Sequence, residues 1–97
     1  MQGYAIEKVE GGKLLRIKAE YDETMIAQVT ITGDFFLYPE DAISLLEQKC
    51  SNIERDFDVD ILANDLNAFV TRHEIELIGI TPKAIAQTLK RTVPCGA

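Results

Sequence analysis

Residues 13–32 read KLLRIKAEYDETMIAQVTIT, and two runs within this stretch alternate with a period of two. Successive side chains of a β-strand point to opposite faces of the sheet, so each run predicts a strand with one apolar face. The short polar segment at residues 22–24 predicts a turn that pairs the two strands as an antiparallel hairpin. The predicted apolar faces are Leu15, Ile17, Ala19 and Tyr21 in the run Lys13–Tyr21, and Met25, Ala27, Val29 and Ile31 in the run Met25–Thr32.

A third strand is predicted before this hairpin, and a short β-like run well after it. Tyr4–Glu10 precedes Gly11-Gly12, a dipeptide that supplies the positive φ angles of tight hairpin loops, so this segment joins the first strand of the pair. Glu74–Ile80 is a short β-like run that contains Gly79 near its end. The segments together predict a small antiparallel three-stranded sheet, plus a short fourth strand, with one apolar face that needs a cover.

Helices are predicted to provide that cover. Pro39 suits the first turn of a first helix, where its missing N–H costs nothing, and the acidic residues Glu40 and Asp41 complement the positive helix start. A second helix is expected to begin near Asp58 or Asp60 as its cap, and a third at Thr81-Pro82. The apolar stripes follow spacings of three and four: Ile43, Leu46, Cys50 and Ile53; then Val59, Leu62, Ala63, Leu66, Phe69 and Val70; then Ile85, Ala86, Leu89 and Val93. The element order β-β-β-α-α-β-α predicts an α+β fold, with about three helices on one face of the sheet.

Length and charge exclude several classes of protein. A chain of 97 residues predicts one domain, spanning residues 1–97. A net charge of −6 repels nucleic acid unless one face is strongly basic, so we expect no nucleic-acid partner. No apolar stretch approaches the ~20 residues that span a bilayer, and no signal peptide opens the sequence. We therefore expect a cytoplasmic protein that does not contact a membrane.

Residues suited to catalysis or metal binding are few. His73 is the only histidine, and the two cysteines, Cys50 and Cys95, are far apart in sequence, so a structural zinc site lacks its ligands. Neither of the glycine-rich phosphate-binding motifs, G-x-x-x-x-G-K-(S/T) and G-x-G-x-x-G, occurs in the sequence. His73 follows the second apolar stripe, as a histidine at the C-terminus of a helix does. The acidic alternation at residues 56–60 lacks the glycine and the glutamate of a calcium-binding hand. The sequence therefore predicts no catalytic residue and no metal site.

Two features point to contacts with another molecule. Arg16 and Lys18 project from one side of a strand, with Lys13 at the mouth of the hairpin. There are two explanations for this cluster of positive charge on an acidic chain. The side chains solvate the outer face of a sheet, or they form a surface that binds anionic groups or an acidic partner. Residues 33–39 read GDFFLYP, with four large apolar residues in succession. Adjacent positions of a strand point to opposite faces, so one face of the sheet does not bury all four. Either the helices wrap around them, or at least one aromatic side chain is exposed for docking. The candidate contact residues are Lys13, Arg16, Lys18, Asp34, Phe35 and Phe36.

The same residues resemble a known family. Residues 11–17 read GGKLLRI; a strand with Ile26, Val29 and Ile31 follows, and then Gly33-Asp34-Phe35-Phe36, Pro39 and a helix rich in Leu and Glu. Over about residues 8–91 this pattern resembles the accessory domain of lipoate–protein ligases. That domain is the C-terminal part of the ligase in many bacteria and a separate small subunit in some archaea. The most specific part of the resemblance is the core Gly-Asp-Phe-Phe-x-x-Pro.

The resemblance implies a non-catalytic accessory subunit. In that family a catalytic subunit holds ATP, Mg²⁺ and lipoate, makes lipoyl-AMP, and transfers the lipoyl group to a lysine of an acceptor protein. The accessory domain is needed for the activation step. The expected partner is thus a separate catalytic subunit in a heterodimer, with no cofactor bound by this chain alone. A second hypothesis, suggested by the small α+β sheet, is a self-associating regulatory domain that senses a metabolite.

Overall fold

The alternating runs at residues 13–21 and 25–33 form the central hairpin of the fold. The structure, a computed structural model, describes residues 1–9, 11 and 13–93. In chain order the elements are β1 (Gln2–Val9), β2 (Lys13–Tyr21), β3 (Met25–Gly33), β4 (Phe36–Tyr38), α1 (Ala42–Lys49), β5 (Ile53–Glu54), α2 (Val59–Arg72), β6 (Glu76–Ile78) and α3 (Pro82–Thr92).

The strands form two antiparallel sheets. The larger one has the strand order β1-β2-β3-β5, and β4 pairs with β6 in a separate two-stranded sheet. The predicted α+β class and the central three-stranded meander are confirmed. The identity of the fourth strand is corrected, because the run within Glu74–Ile80 pairs with β4 in the separate sheet. The fourth strand of the larger sheet is β5, in which Ile53 pairs with Ile26. The assignment of Ile53 to the apolar stripe of the first helix is wrong.

The helices cover one face of the larger sheet. α3 packs on β1 and β2, α1 packs on β3, and α2 packs on α3. Burial of a Leu or Ile side chain contributes about 1.5–3 kcal/mol, so this layer supplies most of the hydrophobic stabilisation. The largest side chains that are fully buried in it are Leu15, Ile17, Ile26, Leu46, Leu66, Ile85 and Leu89.

The pairing of β2 with β3 contains a β-bulge. The register shifts between Glu20 and Tyr21, whose partners are Gln28 and Ile26, so Ala27 is the extra residue. A bulge inserts one residue into one strand and reverses the alternation of side chains on either side of it. The predicted inward face of this strand is therefore correct after the bulge. It is wrong before the bulge, where Ile26 is buried and Ala27 is exposed.

Two of the three predicted helix starts are confirmed by their caps. The Asp58 carboxylate accepts a hydrogen bond from the Ile61 N–H at 3.0 Å, and the Thr81 hydroxyl accepts one from the Ala84 N–H at 3.1 Å. Each cap satisfies one of the N–H groups that the first helical turn leaves without an intrahelical partner. Both helices therefore begin where their polar cap residues predict.

The start of α1 differs from the prediction. This helix begins at Ala42, and Pro39 lies in the preceding turn, where its carbonyl accepts a hydrogen bond from the Ala42 N–H at 3.0 Å. The residues before Pro39 belong to β4, which stays paired with β6 through Tyr38 and Glu76. The chain therefore needs a turn between the end of the strand and the helix, and Pro39 belongs to that turn.

Side chains from two helices reach the outer edges of the larger sheet. Glu47 of α1 accepts a hydrogen bond from the Ile31 N–H at 2.7 Å, at a point of β3 that β5 does not pair with. On the opposite edge, Arg91 of α3 donates a hydrogen bond to the Ile6 carbonyl at 3.4 Å and forms an ion pair with Glu7. These contacts give partners to backbone groups that no neighbouring strand pairs with.

The turn between β2 and β3 is held by one carboxylate. Asp22 accepts hydrogen bonds at 2.8 Å from the N–H groups of both Thr24 and Met25, and one at 3.3 Å from the Thr24 hydroxyl. The two backbone bonds favour the charged form and lower the pKa of Asp22 below its ordinary value of 3.8. The turn is therefore most stable when this carboxyl group is ionised.

This turn predicts a pH-dependent stability. Because the pKa of Asp22 is lower in the folded state, its carboxylate stabilises the fold fully above pH 3.8. This stabilisation is lost as the pH falls through the folded-state pKa. We expect Asp22→Asn to lower the melting temperature at about pH 7 and to match the wild type at about pH 2, measured by thermal unfolding across that range. The control, Glu23→Gln, removes a charge from the same turn and should have little effect. A melting-temperature difference that is constant with pH would contradict the prediction.

Candidate functional site

The described residues hold no arrangement typical of a catalytic centre. In residues 1–9, 11 and 13–93, no group of three or more His, Cys, Asp or Glu side chains is placed to hold a metal ion. His73 is the exposed C-cap of α2, and its ring centroid lies 4.4 Å from that of Phe69. Cys50 is buried, which raises the pKa of its thiol to about 12, so it is not a thiolate at neutral pH. The other features of the described residues that can contact another molecule are exposed surfaces.

One exposed surface is the face of the larger sheet that the helices leave bare. On β1 and β2 its central residues are Tyr4, Ile6, Arg16 and Lys18, which we call the open sheet face. Tyr4 pairs with Lys18, and Ile6 pairs with Arg16, across the two strands. The apolar members are 60% (Tyr4) and 47% (Ile6) exposed, so a pair of apolar side chains on β1 lies beside a pair of cationic side chains on β2, on a surface open to solvent.

The two cations of the open sheet face are available to another molecule. Both Arg16 and Lys18 are exposed, and neither forms a hydrogen bond or an ion pair with another described residue. On β3 their cross-strand partners are Thr32 and Thr30, which carry no charge. Glu20, the next residue of β2 on this face, is engaged as the acceptor of a hydrogen bond from Gln2 at 3.2 Å.

A second exposed surface is formed by the two-stranded sheet. We call Phe36, Tyr38 and Ile78, together with Lys13, the mini-sheet surface. Phe36 pairs with Ile78, and the exposed fractions of the three apolar side chains are 64% (Phe36), 71% (Tyr38) and 48% (Ile78). The Lys13 ammonium lies 5.7 Å from the centroid of the Phe36 ring, within the range of a cation–π contact. Of the two alternatives for GDFFLYP, the structure shows exposed aromatic residues, at both Phe36 and Tyr38.

Two of the candidate contact residues, Asp34 and Phe35, form contacts within the fold. The Asp34 carboxylate accepts a hydrogen bond from the Leu14 N–H, and the Asp34 N–H donates to the Leu14 carbonyl at 3.2 Å. Phe35 is half-buried and packs against the hydrophobic core. Asp34 therefore fastens the end of β3 to the start of β2, and Phe35 anchors the segment that carries the exposed Phe36.

The structure divides the remaining candidates between the two surfaces. Lys13 and Phe36 lie together in the mini-sheet surface, whereas Arg16 and Lys18 lie on the open sheet face. Lys13 is an odd number of residues from Arg16, and such positions of one strand point to opposite faces. The candidate contact residues did not include Tyr4 and Ile6 of the open sheet face or Ile78 of the mini-sheet surface. The alternation in β1, in which Tyr4 and Ile6 flank the buried Ala5, is the signal that identifies two of them.

A comparison of the two adjacent phenylalanines tests this division. We expect Phe35→Ala to lower the free energy of unfolding by about 1–3 kcal/mol, since it removes a half-buried ring from the core. Phe36→Ala should change it by less than about 0.5 kcal/mol, because that side chain is exposed. Urea unfolding of both variants measures the difference. Equal losses of stability would show that Phe36 also serves the core.

One groove among the described residues bears on the hypothesis of a metabolite sensor. A groove of about 400 Å³ lies beside the first turns of α2 and α3, where Asp60, Asn64, Asn67 and Lys83 contribute to its wall. Small-molecule sites bury most of their ligand in a concave pocket, and this groove is open to solvent. Five of the eight large apolar side chains that are exposed in the described part of the chain instead lie on the two surfaces defined above: Tyr4 and Ile6 on the open sheet face, and Phe36, Tyr38 and Ile78 on the mini-sheet surface.

Comparisons with known proteins agree with the sequence motifs. No protein-family model matches the chain. A curated protein, lipoate-protein ligase A subunit 2 from Thermoplasma acidophilum, is 38% identical over 52 residues, which cover 45% of this chain. The match spans about half of the length of that relative (55% of it). In the described part of the chain, no helix has the length and apolar character needed to cross a membrane.

The likeness in fold extends over nearly the whole chain. This chain superposes on a chain from a solved structure of an archaeal lipoylation system. That structure is described as a bipartite lipoate protein ligase and its E2 lipoyl domain from Thermoplasma acidophilum. The two chains superpose with a TM-score of 0.74 and 25% sequence identity, and the match covers 92% of this chain and 94% of that one. Both comparisons confirm the resemblance that the GDFFLYP segment predicts: this chain is similar, in sequence and in fold, to the accessory subunit of lipoate–protein ligase.

Proposed function

We propose that this chain is the non-catalytic accessory subunit of a two-protein lipoate–protein ligase. Together with a separate catalytic subunit, it is required for the ATP-dependent activation of lipoate to lipoyl-AMP, before transfer to a lysine of acceptor proteins. The observation that carries the proposal is the superposition on a chain of a bipartite ligase structure over 92% of this chain. The sequence similarity to a protein described as subunit 2 supports the same role.

In the proposed complex this chain contributes surfaces and not reacting groups. Its histidine is exposed at the end of α2 and its described cysteine is buried, so neither is paired as a nucleophile and base. ATP, Mg²⁺ and lipoate are bound by the catalytic subunit, in the cytoplasm. The accessory subunit orders the loops around them and excludes water from a hydrolysable acyl-adenylate. Its contribution to the rate is therefore one of positioning.

The exposed apolar residues support the proposed heterodimer. Monomeric proteins rarely expose contiguous apolar patches unless they bind something there. The mini-sheet surface exposes two aromatic rings and Ile78, and the open sheet face exposes Tyr4 and Ile6. Tyrosine, phenylalanine and arginine are the residues that are enriched in the buried centres of protein interfaces. A chain with these surfaces is suited to docking against a larger protein.

Reconstitution of the activation step tests the proposal. We expect lipoate-dependent exchange of labelled pyrophosphate into ATP to rise by about tenfold or more when this chain is added to the purified catalytic subunit, equivalent to about 1.4 kcal/mol of barrier. Each protein alone should remain near the background. Transfer from chemically prepared lipoyl-AMP serves as the control, since that step bypasses activation and should depend much less on this chain. The absence of any stimulation would contradict the proposal.

A further inference from the structure

The two exposed surfaces differ in how their cations are used. In the mini-sheet surface the Lys13 ammonium already lies over the Phe36 ring, and its aliphatic part packs so closely on Gly79 that a Cβ there would lie 2.6 Å from the Lys13 Cγ. On the open sheet face, Arg16 and Lys18 have no partner among the described residues. The open sheet face is therefore the surface with uncommitted positive charge.

This charge stands out against the rest of the chain. The net charge is −6, yet the described charged residues of the bare side of β1 and β2 comprise three cations, Lys8, Arg16 and Lys18, and the single carboxylate of Glu20. A duplex or a long single strand of nucleic acid would meet the field of the whole acidic chain, and two or three phosphate contacts do not offset it. A protein surface with a local cluster of carboxylates matches the local charge and avoids the global repulsion.

The open sheet face is also not composed like a solvated outer face. Tyr4 and Ile6 stay 60% and 47% exposed, each directly opposite a cation. An outer face that only faces water gains nothing from leaving these two side chains exposed. Tyr4 and Arg16 are of residue types that are enriched in protein–protein interfaces and among the residues that contribute most to binding.

We propose that the open sheet face docks on an acidic surface of the catalytic subunit. The inference rests on the proposed function and assigns the surface through which that function is exerted. Arg16 and Lys18 are two positions apart on one strand, so their backbones are separated by about 6.5 Å. The complementary surface therefore presents two carboxylates at a similar spacing, beside an apolar strip that receives Tyr4 and Ile6.

Charge reversal tests the assignment on the intact two-protein complex. The dissociation constant for the catalytic subunit is measured by calorimetry for the wild type and for Arg16→Glu/Lys18→Glu at about 50 mM and 300 mM salt. We expect the dissociation constant of the double variant at low salt to be at least about 30-fold higher than that of the wild type. Its dissociation constant should also no longer change with salt as that of the wild type does. The matched control is Arg72→Glu/Lys83→Glu, which makes the same change of charge at exposed positions of α2 and α3 and should bind within about threefold of the wild type.

A second pair of residues separates the apolar contribution from the charge. Tyr4→Ser/Ile6→Ser should weaken binding by about tenfold at both salt concentrations, because an apolar contact is little affected by screening. All these positions are exposed, and circular dichroism and melting temperatures report that each variant is folded. The inference is overturned if the wild type binds and stimulates pyrophosphate exchange while Arg16→Glu/Lys18→Glu does the same equally well. A wild type that neither binds nor stimulates overturns the proposed function, and this inference with it.

Discussion

Gly3→Ala is expected to lower the free energy of unfolding by about 3 kcal/mol or more. Gly3 of β1 lies against the last residue of α3, and a Cβ added there would lie 1.6 Å from the carbonyl oxygen and 2.6 Å from the carbonyl carbon of Thr92. Both atoms belong to the backbone, so no side-chain rotation relieves the overlap. Either β1 must leave the edge of the sheet or the end of α3 must move away from it.

The same substitution at Gly11 is the control. A Cβ at Gly11 meets nothing within 4 Å, but its φ of +96° is one that an alanine adopts with strain, so a smaller loss of about 1 kcal/mol is expected. Urea unfolding followed by circular dichroism measures both losses. A Gly3→Ala protein as stable as the wild type would show that β1 and α3 are not held at this distance in solution.

Leu89→Ala is expected to have the second large effect, about 3–5 kcal/mol. Leu89 is fully buried on α3, the helix that packs on β1 and β2 from one side and on α2 from the other. Removing the side chain creates a cavity between layers that are fixed by their own hydrogen bonds, so the site collapses only in part. Small domains are stable by about 5–15 kcal/mol, and the variant should lose a large share of this.

Leu45→Ala makes the same chemical change on a surface. Leu45 lies on α1 and is 41% exposed, so its truncation should cost less than about 1 kcal/mol. Chemical unfolding of both variants gives the comparison. Similar losses at the two positions would contradict the layer arrangement, in which α3 is the buried helix and α1 has an open side.

Local patterns were sufficient to predict the regular parts of the fold. The alternation of 13–21 places the four residues of its predicted apolar face in the core, and the caps at Asp58 and Thr81 begin α2 and α3. In these elements the information is local, since side-chain period and capping chemistry depend on neighbours within a few residues. The class of the fold followed from the order of such elements.

Other features depend on pairings that no local pattern contains. The bulge at Ala27 is defined by the partners of Glu20 and Tyr21, so it reverses the faces of Met25 and Ile26 without any signal within β3 itself. The pairing of β4 with β6 likewise joins two three-residue strands that are far apart in sequence. These pairings explain why the short fourth strand was assigned to the wrong sheet and why α1 starts later than Pro39.

The candidate site was predictable in its residue types and not in its geometry. The cluster at 33–39 indicated an exposed aromatic residue, and the structure exposes Phe36 while Phe35 packs inward. Which of two adjacent rings is exposed depends on the orientation of β4, which is set by its distant partner β6. The alternation of β1 places Tyr4 and Ile6 on one face, but their position beside the cations depends on the register of β1 against β2, which pairs Tyr4 with Lys18.

The contacts of Glu47 and Arg91 with the sheet edges also bear on self-association. A strand from a second molecule extends a sheet by hydrogen bonding to its outermost backbone groups, which is how fibrils grow. The Ile31 N–H and the Ile6 carbonyl, one on each side of the sheet, are already bonded to helix side chains. An incoming strand would have to displace a carboxylate from one edge or a guanidinium from the other, so both margins resist fibrillar stacking while the flat face between them stays free.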